Sequence, residues 1–242
     1  MSEIKIFRLN QYEQLFGLAN PLNEFIFRGE GSYEYGFKST LERIGYNSFH
    51  DGKYLLEIEE NIIDEFRSIA GLHEINAFNF STIELLSLLR HYGGPVRFLD
   101  FTYSIYIAAY FACLTPNEYG VIWCLNRDSL DEKFTEEREF LKNDEDRISN
   151  SKLKHEKIGF IEGVFKSKKV GNELIYFNPL RSNKRIFSQQ GTFLFPESIR
   201  NNFKDTLCEF LEIEEEKKRF YLKRVLKGEA KIMIFMKWKS LS

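Results

Sequence analysis

The spacing of apolar residues divides the chain into short strands and longer amphipathic helices. Phe25, Ile26 and Phe27, with Arg28, form the first strand candidate, closed by Gly29. Leu55, Ile58, Ile62, Phe66 and Ile69 recur every three, four or so residues, which predicts a helix over 52–70 with Asp51 as N-cap and Gly71 as its stop. Ser81-Thr82-Ile83-Glu84 has capping-box spacing, in which the Ser and Glu side chains each satisfy a free backbone N–H. A second helix therefore starts there, runs through Leu85, Leu86, Leu88 and Leu89, and ends near Gly93-Gly94-Pro95. Residues 96–101 read as a short strand. Ser104 caps the segment 105–114, apolar almost all round, which must be covered on most faces and so belongs at the centre of the domain. Strand patterns return at 120–125, 173–177, 191–195 and 231–238. A charged helix over 202–226 precedes the last of them, with Glu214/Lys218 and Glu215/Arg219 at pairing distance.

One stretch breaks this pattern. Residues 127–170 are dense in charge, carry the runs Asn143-Asp144-Glu145-Asp146 and Lys166-Ser167-Lys168-Lys169, and lack regularly spaced large apolar residues. They read as an inserted, solvated helical excursion or mobile loop. No internal repeat is visible. The alternation of elements describes one α/β or α+β domain over 1–242 with this charged insertion in its middle.

Composition supports a packed core: hydrophobic residues make up 43% and aromatics 16% of the chain. The 24 Phe and 12 Tyr serve such a core, or supply stacking surfaces for flat ligands. A net charge of -2 gives no basic footprint for non-specific nucleic-acid binding, although an acceptor held by a few contacts remains compatible with it. Cys113, Cys124 and Cys208 stand apart in apolar stretches, as buried reduced thiols do, and point to a reducing cytoplasm. No apolar run approaches the ~18 residues of a membrane span. His50, His73, His91 and His155 are too scattered for a zinc site, so no metal is expected.

Three places carry polar chemistry. At the first, Phe27-Arg28-Gly29 sets a guanidinium at a strand end beside a residue that lets backbone approach a ligand. A structural ion pair of Arg28 with Glu30 or Asp100 explains it equally well. At the second, His91 to Ser104 gathers His91, Tyr92, Arg97, Asp100, Thr102 and Ser104 around a Gly-Gly-Pro turn and a strand. Strand alternation puts Arg97 and Asp100 on opposite faces. The plain alternative is that Asp100 anchors the loop or caps the next helix while Arg97 pairs with an acid. At the third, Gln189-Gln190-Gly191 precedes an apolar strand, where a glutamine amide either locks backbone or grips a ligand.

In order and spacing, Phe27-Arg28-Gly29, the His-Tyr-Gly-x-Pro-x-Arg-x-Leu-Asp-x-Thr stretch beginning at His91, and Gln189-Gln190-Gly191 resemble the motifs of the FRG domain over roughly residues 20–195. Val96 stands where Thr is usual and Phe101 where Trp is usual. A further similarity is to ADP-ribosyltransferases, which place three marks on a split sheet. It implies an α+β fold with a split mixed β-sheet and flanking helices. Arg28 is then the first mark, Thr102 or Ser104 the second, and Gln189 or Gln190 the third.

What this resemblance implies is transfer of ADP-ribose from NAD by a cytoplasmic toxin or antiphage effector. Arg28, Thr102, Ser104 and Gln190 would act on the reacting ribose. Arg28, Gly29, His91, Tyr92, Arg97, Asp100, Gln189 and Gly191 would hold NAD. The acceptor is expected to be nucleic acid, RNA included, because aromatics and the His91-Tyr92 pair suit base stacking; a protein side chain is the alternative acceptor. A toxin implies an antitoxin partner, and no membrane partner is expected. A neutral Gln cannot act as general base, so Glu30, Asp100 or another acid must deprotonate the acceptor, unless the acceptor is already nucleophilic. Without such an acid the chain is a nucleotide- or partner-binding FRG module. A metal-independent nuclease or phosphotransferase built on His91 and Arg97 is the remaining reading.

Overall fold

The computed structural model describes residues 4–9, 13–19, 24–32, 35–36, 38–45, 52–72, 80–114, 120–131, 151–167, 173–177, 190–210 and 231–236. Their elements run β1 (Ile4–Leu9), α1 (Glu13–Ala19), β2 (Phe25–Glu30), α2 (Thr40–Gly45), α3 (Gly52–Leu72), α4 (Thr82–His91), β3 (Leu99–Thr102) and α5 (Ile105–Leu114). There follow β4 (Gly120–Asn126), α6 (Arg127–Asp131), α7 (Ser151–Ser167), β5 (Leu174–Phe177), β6 (Gly191–Pro196), α8 (Phe203–Phe210) and β7 (Lys231–Met236). Asp51, Gln189 and the two predicted charge pairs between 214 and 219 lie outside the described residues.

The strands form a seven-stranded sheet in the order β1-β7-β4-β2-β3-β6-β5. The five from β4 to β5 in that order pair antiparallel; β7 adds antiparallel to β4, and β1 pairs parallel to β7, so the sheet is mixed. The fold is α+β, as the sequence indicates.

Alternation along β2 and β4 explains how both faces are buried. Phe25 and Phe27, with Ile122 and Cys124, meet Ile105, Ala108, Ala109 and Ala112 of α5 and Leu15 of α1. Ile26, Val121, Trp123 and Leu125 join the opposite cluster, with Ile83, Leu86 and Leu89 of α4, Ile161 and Val164 of α7, and Phe203 and Leu207 of α8. Two glycines bring α5 unusually close to the sheet. A Cβ on Gly29 would stand 1.8 Å from the Ala108 carbonyl oxygen, and one on Gly120 would stand 2.3 Å from that of Ala112. Gly29 therefore lies inside β2 and serves helix–sheet packing instead of ending the strand.

The capping box at Ser81 is present in full, and Ser104 caps α5 through Ile107 N–H at 3.4 Å. Three sequence expectations change. First, α5 is open along one side, with Tyr106, Tyr110 and Leu114 exposed and Phe16 of α1 alongside Tyr106. It is an outer-layer helix, apolar beyond what its burial requires. Second, β3 starts at Leu99 and not at 96. The Val96 backbone is already used by α2: its N–H donates to Thr40 Oγ1 and its carbonyl accepts from Leu41 N–H. Third, α7, within the predicted excursion, is anchored to the body. Ile161 and Val164 are buried, and the Glu162 carboxylate accepts from Thr82 N–H (2.5 Å), Thr82 Oγ1 (2.8 Å) and Ile83 N–H (3.4 Å) at the start of α4. Among the described residues no helix is long and apolar enough to cross a membrane.

Candidate functional site

β2 and β3 share a single ladder pair, Phe27 with Thr102. A cleft of about 320 Å³ opens at this seam, at the small end of the range for ligand pockets. Arg28, Ser87, Arg90, His91, Asp100 and Thr102 line its polar part, and Phe27, Phe101, Ile107, Phe111 and Phe193 its apolar part. Gly29 and Gly93 complete it.

Arg28 bridges the seam. Its Nη1 donates to the Asp100 carbonyl at 2.9 Å, and its Nε donates to Glu30 Oε1 at 3.0 Å, with Nη2 at 3.0 Å from the same oxygen. A guanidinium carries five N–H groups, so the two terminal nitrogens each retain one beyond these contacts. Glu30 is fully committed: its second oxygen accepts from Trp123 Nε1 at 2.8 Å, and the residue is buried. The ion pair of Arg28 with Glu30 is therefore formed, whereas Asp100 meets Arg28 only through its backbone carbonyl.

The Asp100 carboxylate turns to Arg90, which donates from Nε at 3.0 and 3.3 Å and also from Nη2. Burial disfavours the Arg90 cation, but Asp100 more than offsets that and raises its pKa. The Asp100 side chain is 45% exposed, so this pair sits at the cleft and not beneath it. Thr102 is buried, and its Oγ1 accepts from Ser104 N–H at 3.1 Å. His91 stands one residue beyond Arg90 and one turn beyond Ser87, so the three share a face of α4. Its Nδ1 is buried with no hydrogen-bond partner among the described residues. Tyr92 ends the helix, 66% exposed, with its ring 5.3 Å from that of His91.

Sequence reasoning thus named five residues that the fold brings to one cleft: Arg28, Gly29, His91, Asp100 and Thr102. Ser104 and Gly191 adjoin Thr102, one through its hydrogen bond and the other as its ladder partner. Gln190 is different: its side chain is exposed, its φ is 46°, and its carbonyl accepts from Tyr103 N–H at 3.0 Å. It locks backbone and does not line the cleft. Arg97 is elsewhere altogether. It is 2% exposed, bound by Nε and Nη2 to the Glu59 carboxylate and by Nη1 to the carbonyls of Pro196 and Glu197. The expected grip of Arg97 on a ligand is replaced by a buried clamp between α3 and the end of β6. His91 and Arg97 do not share a site, which removes the geometric basis of the nuclease reading. Arg90 and Ser87 were missed, although the spacing of Ser87 to Arg90 (i, i+3) and to His91 (i, i+4) is legible on a predicted helix.

An α+β domain with a polar cleft at the seam of its sheet is the class that fold and site define. Within it, residues 23–120 match the family model of the FRG domain. That stretch runs from the start of β2 to the first residue of β4 and contains the five cleft residues named above; Gln190 and Gly191 fall beyond it. No curated protein and no solved structure matches the chain.

Proposed function

We propose that the cleft binds NAD and transfers its ADP-ribose to an acceptor. The observation that carries this reading is the convergence of Arg28, Asp100 and Thr102 on one cleft at the seam between β2 and β3. Breaking the nicotinamide–ribose bond builds positive charge on the ribose, so the protein must grip the diphosphate and position the ribose. The spare N–H groups of Arg28 suit a phosphate oxygen. Thr102, steadied by Ser104 N–H, faces the ribose, and the apolar part of the cleft receives the nicotinamide ring. The C1′–N bond breaks with its electron pair passing to the nicotinamide nitrogen. An acceptor lone pair closes on C1′, and the acceptor's proton passes to the Asp100 carboxylate. Asp100 is chosen over Glu30 because its side chain is 45% exposed at the cleft, whereas Glu30 is buried. The exposed Tyr92 ring beside His91 supports a nucleic-acid acceptor, since a base stacks on such a surface. A toxin or antiphage role, with a neutralising partner, follows from this activity.

Labelled NAD incubated with RNA, DNA and protein tests the reading. Transfer should fall by on the order of 100-fold or more in Asp100→Asn and be lost in Arg28→Ala, and expression toxicity should fall with it. The position of Gln190, outside the cleft, favours a second reading, a nucleotide-binding FRG module without turnover. NAD binding with no nicotinamide release in the wild type would establish that reading against transfer.

A further inference from the structure

Two guanidiniums, Arg28 and Arg90, line the polar end of the cleft. Glu30 is already spent on Arg28 and Trp123. The remaining carboxylate, Asp100, lies across the fork of Arg90 in a cleft wall and is nearly half exposed. A carboxylate and a phosphate offer a guanidinium fork the same two-oxygen geometry.

We propose that Arg90, with Arg28, forms a phosphoanion subsite, and that Asp100 is its built-in occupant, displaced when a ligand diphosphate arrives. Occupancy of Arg90 by phosphate releases the Asp100 carboxylate into the cleft. The nucleotide reading of the cleft supplies the identity of the natural ligand, but the subsite itself is defined by charge and geometry. A tethered carboxylate competes at high effective concentration, so the free protein binds phosphoanions weakly and its affinity rises when the competitor is removed.

Calorimetric titration of the full chain with inorganic pyrophosphate tests this. Asp100→Asn should bind on the order of tenfold more tightly than the wild type, while Asp205→Asn, an exposed acid on α8, should not change affinity. Arg90→Gln should lose the binding. Equal affinity of Asp100→Asn and wild type, or undiminished binding in Arg90→Gln, overturns the subsite. NAD cleavage measured on the same samples separates the two ideas. Pyrophosphate exchange without NAD cleavage leaves the subsite standing and removes the transferase, whereas NAD cleavage with no gain of pyrophosphate affinity in Asp100→Asn does the reverse.

Discussion

Gly29→Ala tests whether the glycine that ends the Phe-Arg-Gly tripeptide serves the fold or the ligand. The added methyl carbon would lie 1.8 Å from the Ala108 carbonyl oxygen, 2.7 Å from its carbon and 2.8 Å from Ala112 N. Every one of these atoms is helix backbone, so no side chain can rotate away. Ordinary contact for such atoms is ~3.5 Å, and α5 would have to retreat by roughly 1.5 Å. The same retreat would part α5 from Gly120, where the fit is also backbone against backbone. Over-packing typically costs ~1–3 kcal/mol and occasionally more. With no yielding partner here, the expected loss is at the top of that range, about 3 kcal/mol. Urea unfolding followed by circular dichroism measures it, with an unchanged slope showing that the unfolded state is the same. Gly17→Ala is the internal control. Nothing lies within 4 Å of its added carbon, and the site is helical, so the substitution should stabilise by ~0.5–1 kcal/mol. A Gly29→Ala protein within ~0.5 kcal/mol of wild type, a typical neutral-surface value, would refute the packing account and return Gly29 to the ligand.

Two further outcomes follow from buried charges. Arg97→Met leaves the Glu59 carboxylate buried at 3% exposure without its partner and should cost about 3–5 kcal/mol. The double variant Arg97→Met/Glu59→Leu should recover much of that, and a single-variant loss under ~1 kcal/mol would mean the clamp is not a determinant of stability. Lys157 is buried with its Nζ 5.3 Å from the centre of the Tyr176 ring. Burial lowers its pKa to about 8, with Asp131 partly offsetting the effect. Between that value and the usual lysine value the unfolded chain binds the proton that the folded chain has released, so this group makes stability rise with pH in that window. Lys157→Met should therefore be more stable than wild type at pH 7, by up to about 3 kcal/mol less any lost cation–π contact, and the advantage should shrink by pH 9.5. That range ends below the point at which the Tyr176 phenol, raised by burial and by Asp131, opposes the trend. A pH-independent difference would show that Lys157 titrates alike in the folded and unfolded chain, and would refute the effect of its burial.

Much of this architecture is written locally. The capping box at Ser81, the Ser104 cap and the helical period of 52–70 are signals contained in a few residues, and they place α3, α4 and α5 correctly. The strands β2, β4, β5 and β6 follow from apolar runs. What failed depended on distant partners. The start of β3 is set by Thr40, 56 positions away, which takes the Val96 backbone. The role of Arg97 is set by Glu59, 38 positions earlier, and no spacing rule connects them. The anchoring of α7 depends on Glu162 finding the first turn of α4, 80 positions back. At the site, motif residues in one short block proved to be neighbours. Arg90 escaped notice because an arginine near a helix C-terminus is unremarkable on its own and gains meaning only beside Asp100 and Arg28.

The single ladder pair between β2 and β3 has a mechanical consequence. Shear between two sheet halves is resisted by ladder hydrogen bonds, and here the ladder is all but missing, with the Arg28-to-Asp100 contact acting as a rivet across the gap. A molecule gripping Arg28 on one plate and Arg90 or Thr102 on the other would stiffen the whole sheet by bracing its most compliant line. Bound and free protein should then differ in amide exchange most at the β2–β3 boundary, while the β2–β4 ladder changes little. Uniform protection across both would mean that the plates already move as one.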